Sequence, residues 1–105
     1  MRSITMVVGG MVLGLLAGSA SAQGASENVK RQCRNVAENT ARTIVNARSS
    51  RIDPATAVKR VPDTWLEGVQ AHMLMAASRA DYLSESELAS IGYSYCIERR
   101  PTDVR

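Results

Sequence analysis

The sequence predicts an all-α fold: a small four-helix domain, one helix short, with the first and last helices antiparallel and joined by one disulfide. Three observations carry this. Apolar residues recur every three or four positions and no stretch alternates apolar with polar. Helix start signals stand at Ser26, Asp53-Pro54 and Ser84. Two cysteines, Cys33 and Cys96, sit near opposite ends of a chain whose beginning looks like an export signal.

Residues 1–22 have the parts of a cleavable signal. Arg2 provides a positive start, Ile4 to Ala17 an apolar run broken by Gly9, Gly10 and Gly14, and Ala20-Ser21-Ala22 a small-x-small cleavage site. The run is shorter than the roughly 20 apolar residues of a spanning helix. No cysteine follows it closely enough for a lipid anchor, because the first is Cys33. The expectation is soluble export to the periplasm or the medium, with no stable membrane insertion after cleavage. Removing 22 of 105 residues leaves a mature domain of 83, residues 23–105.

The first helix starts at Ser26 as N-cap and runs from Glu27 to about Arg48. Val29, Cys33, Val36, Thr40, Ile44 and Ala47 form its apolar stripe, with Lys30, Arg31, Arg34, Glu38 and Arg42 off it. Asp53 caps a second helix and Pro54 occupies its first position, where no N–H partner is needed. Pro62 sets its limit, which puts the helix at Pro54 to about Arg60. A third helix runs from Asp63 or Thr64 to about Ala80 on a stripe of Trp65/Leu66, Val69, Met73, Ala76/Ala77 and Ala80. Ser84 and Glu87 form a capping box, and Leu83 with Leu88 a hydrophobic staple. The fourth helix turns Leu88, Ile91, Tyr95 and Cys96 inward and ends near Arg99-Arg100.

A disulfide needs Cα atoms within about 7 Å, so Cys33 and Cys96 lay the first and last helices side by side. Gly92, one turn before Cys96, is expected to permit that approach. The thiols are structural, since a redox catalyst favours Cys-x-x-Cys or an activated thiolate.

Chemistry is sparse. His72 is the only histidine, so neither a multi-histidine metal site nor a conventional triad assembles, and no phosphate or dinucleotide loop is present. His72 and Met75, three apart, are weak metal candidates of a kind that suits copper. No cofactor is expected, and the sequence reads as a non-enzyme.

Charge is the surface clue. Between Arg42 and Arg60 the chain holds Arg42, Arg48, Arg51, Lys59 and Arg60 against Asp53, a net +4; from Asp81 to Glu98 it is −4. The basic stretch is a candidate binding patch for an acidic partner, and its charges are expected to be exposed, so that reversing Arg48 and Arg51 leaves the fold intact. Should the patch fail, Trp65 and Tyr82 are the next candidate contact residues. Few aromatics and a mild net charge exclude nucleic acid as partner.

Cys33-x-x-x-Ala37, Ala47-Arg48, Ile52-Asp53-Pro54-x-x-Ala57, Tyr82-Leu83-Ser84 and the late Cys96 together resemble small exported helical proteins of proteobacteria, some prophage-borne, with one early and one late cysteine. The resemblance implies export, the disulfide and the helical fold, and carries over no active site. The expected function is a small envelope protein that binds another envelope or secreted protein non-covalently, as inhibitor, immunity factor or accessory subunit. The alternatives are a periplasmic stress chaperone, and a metal carrier or unrecognised enzyme.

Overall fold

A computed structural model describes residues 24–62 and 64–101. The export signal expected over residues 1–22 lies outside the described residues. Four helices follow in order: α1 (Glu27–Ser49), α2 (Pro54–Ala57), α3 (Trp65–Arg79) and α4 (Glu85–Arg99), with no strand among the described residues.

Local signals set most of the boundaries. The Ser26 hydroxyl accepts from Val29 N at 3.1 Å and Asp53 Oδ1 accepts from Ala55 N at 3.1 Å. Both halves of the Ser84/Glu87 capping box form: Glu87 N donates to Ser84 Oγ and Ser84 N to Glu87 Oε1. Thr64 caps α3 without a side-chain bond. Helix α1 closes in a Schellman motif, with Ile52 N donating to Ala47 O and Arg51 N to Arg48 O. Arg51 holds the left-handed position at φ 59°.

Two ties fix α1 and α4 as antiparallel. Early Cys33 is bonded to late Cys96, their Cα atoms 5.6 Å apart. Late Arg48 reaches the carbonyl of Leu83, just before α4 begins. Helix α3 lies parallel to α1: Arg48 also donates to Ala77 and Ala80 at the end of α3, while Gln32 and Asn35 share a groove with Leu66 at its start. The core fills the space between, with Val29, Cys33, Ile44, Val69, Met73, Leu88 and Cys96 all fully buried. All six residues of the α1 stripe are buried, as expected.

The short helix differs from expectation. It stops at Ala57, not near Arg60. Parallel α1 and α3 oblige the chain to return along their length before α3 starts. Helix α3 has 15 residues and is about 22 Å long at 1.5 Å per residue. The five residues from Val58 to Pro62 cover about 17 Å when extended at 3.3 Å each, against about 8 Å as a helix. The chain therefore leaves the helix at Val58, which turns into the core at 6% exposure.

Gly92 has a different neighbour from the one expected. A Cβ there would lie 2.3 Å from Met73 Sδ, so the missing side chain makes room for α3. The α4 face turned inward is Leu88, Gly92 and Cys96, with Ile91 and Tyr95 half-buried.

Candidate functional site

The return strap needs an anchor, and Gln70 supplies it. Only 4% exposed, Gln70 donates from Nε2 to Lys59 O at 2.8 Å and accepts from Val61 N at 3.0 Å. Both ends of its amide are satisfied by strap backbone, which resolves the cost of burying it. The strap so held forms one wall of a groove of about 330 Å³ with α1 and the start of α3. Val36, Val61 and Leu66 give it apolar walls, and Gln32, Asn35, Asn39 and Lys59 its polar edge.

The five basic residues of the candidate patch have separate surroundings. Arg42 donates to Asn39 Oδ1 at 3.1 Å and borders a second groove, between α1 and α4, with Glu38 and Glu85. Arg48 is half-buried and makes three bonds to main-chain carbonyls, 2.7 Å to Leu83, 3.2 Å to Ala80 and 3.3 Å to Ala77. It is a structural residue rather than a free surface charge. Its guanidinium neutralises the carbonyl end of α3, where the helix dipole is negative. Arg51 is exposed at the turn. Lys59 edges the strap groove, and Arg60 is 3.8 Å from Glu67. Of the five, only Arg42 and Lys59 converge on a common neighbour, Asn39, which Arg42 bonds and whose groove Lys59 shares.

A third groove, of about 290 Å³, lies where α2 meets the end of α3. Pro54, Ala55, Leu74 and Ala77 line it, with Asp53 and Asp81 at its edge and Arg48 beneath. Its chain neighbours are the largest exposed apolar side chains: Ile52 at 52%, Met75 at 51% and Tyr82 at 81%. Trp65, by contrast, packs on the core, its buried indole N–H without a partner among the described residues. Of the two aromatics considered for contact, Tyr82 is the accessible one.

His72 stacks on Tyr95, ring centroids 3.9 Å apart and planes within 9°, and Arg99 lies 4.9 Å from the same Tyr95 ring. This stack ties α3 to α4. Among the described residues no group of three or more His, Cys, Asp or Glu side chains is placed to hold a metal ion. No helix of the described residues is long and apolar enough to cross a membrane. The disulfide is the kind of cross-link that persists in oxidising, non-cytoplasmic compartments.

Comparison of the chain with known protein families, with curated proteins and with solved structures finds no match.

Proposed function

We propose that this is a small periplasmic or secreted protein that acts by non-covalent contact with another envelope or secreted protein. The observation that carries the reading is the exposure of large apolar side chains, Tyr82 at 81% foremost, with Ile52 and Met75. Ordinary monomers scatter single apolar residues over the surface, but an aromatic ring as open as Tyr82 is an anchor of the sort that dominates interfaces, and Ile52, Met75 and Tyr82 are each next in the chain to a residue that lines the α2–α3 groove. The disulfide supports the compartment, and intact mass of the exported protein should show the loss of residues 1–22.

Photo-crosslinking tests the contact. A benzophenone analogue of phenylalanine at position 82 keeps an aromatic ring at the site, and the same analogue at exposed Glu98, on the last turn of α4, is the control. The reading expects one discrete adduct from position 82 in cells, reduced by Ile52→Ser with Met75→Ser and absent from position 98. Identical background from both positions would overturn it.

A further inference from the structure

We propose that the groove between α1, the strap and α3 is a binding site for the C-terminal carboxylate end of a peptide. The proposal is independent of the contact surface above, which lies around a different groove.

Donors outnumber acceptors there. Asn39 Oδ1 accepts from Arg42 Nη1 at 3.1 Å, which leaves its Nδ2 a donor with no partner among the described residues. Among the described residues, Gln32, Asn35 and Lys59 have no side-chain partner either. Lys59 supplies a full positive charge at the groove and the Arg42 guanidinium a second one behind Asn39. Among the described residues no carboxylate lines the groove. Among the described residues, the two acidic side chains next in sequence to lining residues are placed elsewhere: Glu67 lies 3.8 Å from Arg60, and Glu38 borders the α1–α4 groove.

The class of ligand follows from that inventory. An ammonium with a neighbouring guanidinium selects an anion. Side-chain amides both donate and accept, so they complement peptide groups. Val36, Val61 and Leu66 offer apolar surface for a small side chain. At about 330 Å³, the groove sits at the lower end of the range for ligand sites, enough for a terminal residue or two. The site is also held in place: Gln70 fixes the backbone of both Lys59 and Val61, so the strap side does not have to be ordered on binding.

The test is an NMR titration of the disulfide-bonded protein with N-acetyl-Ala-Ala, its C-terminal amide, and acetate. Saturable shifts at the amides of Asn35, Asn39, Lys59 and Val61 are expected with the acid, at least tenfold weaker with the amide form and with acetate. Lys59→Met keeps the stem of an exposed residue without its charge, and Asn39→Asp exchanges a donor for an anion. Each should weaken the acid at least tenfold while leaving the far-UV spectrum unchanged. Overturning results are absence of a saturable shift, equal response to acid and amide, equal response to acetate, or binding indifferent to both variants.

Discussion

Arg48 donates from Nη1 to the main-chain carbonyl of Leu83 at 2.7 Å, across 35 residues of sequence. With its bonds to Ala77 and Ala80, this one side chain gathers the last turn of α1, the end of α3 and the approach to α4. Hydrogen bonds to a charged donor contribute about 1.5–3 kcal/mol each when intact, and the carbonyls left behind lose their partner. Arg48→Ala should lower stability by about 2–3 kcal/mol, visible as a fall in Tm of about 10 °C or more for a domain of this size. Arg48→Lys should recover little, because one ammonium does not reproduce the fork of the guanidinium. A Tm unchanged within a degree or two would return Arg48 to the surface.

Replacement of Arg51, three residues on, has a different expected outcome. Arg51 occupies the left-handed position that ends α1, where a residue with a Cβ is strained and glycine is at ease. Arg51→Gly should stabilise the protein by about 0.5–1 kcal/mol, measured by urea unfolding at unchanged m-value.

Gly92 and Met73 are expected to behave as a coupled pair. Helix propensity alone favours Ala over Gly by about 1 kcal/mol, but the added Cβ would meet the fully buried Met73. Overpacking of this kind costs about 1–3 kcal/mol. Gly92→Ala should therefore destabilise the native protein, whereas in a Met73→Ala background it should stabilise. A thermodynamic double-mutant cycle with no change of sign would count against the packing account.

The disulfide spans a sequence separation of 63 residues, for which loop-closure entropy gives about 4 kcal/mol. Cys96→Ala should lower Tm by well over 10 °C. Thiol titration of the native protein should find no free cysteine.

The capping box makes stability at the start of α4 pH-dependent. Bonds from Ser84, its backbone N–H first and its side chain second, hold the Glu87 carboxyl below its ordinary value of 4.5. A depressed folded-state value means that the stabilisation is present above about pH 4.5 and fades as pH falls through the lower folded value. Glu87→Gln, which retains an acceptor without a titrating proton, should flatten that acid limb. Chemical denaturation from pH 6 to pH 3 checks the slope.

What was legible in the sequence is what depends on near neighbours. Ser26, Asp53-Pro54 and Ser84/Glu87 act within three or four residues, and the α1 stripe needs only a period. What was not legible depends on partners far along the chain. Gln70 stands beside the apolar stripe of α3, next to Val69, and as a polar residue looks like a surface one until the strap lies over it. Nothing near Arg48 in sequence distinguishes it from Arg42 or Arg51; its three carbonyls are 29, 32 and 35 residues away. Adding charges along Arg42–Arg60 therefore does not reveal that one of the five, Arg48, bonds main-chain carbonyls and another, Arg60, faces Glu67. The parallel arrangement of α1 and α3 was the missing fact, since it stretches the strap and creates the groove beside it.

The two ties between α1 and α4 are unequal in kind: Cys33–Cys96 is covalent, whereas the Arg48–Leu83 end is held by hydrogen bonds and side-chain packing, with no covalent link. Partial opening of the helix pair is therefore one-ended, like a hinge pinned at the disulfide pole. The α3–α4 turn that carries Tyr82 lies at the pole that opens first, and its amides should exchange with solvent by smaller excursions than those flanking Cys96. A partner that grips this turn would lock the free pole of the hinge, so that binding there registers as slowed exchange along the whole facing length of α1 and α4.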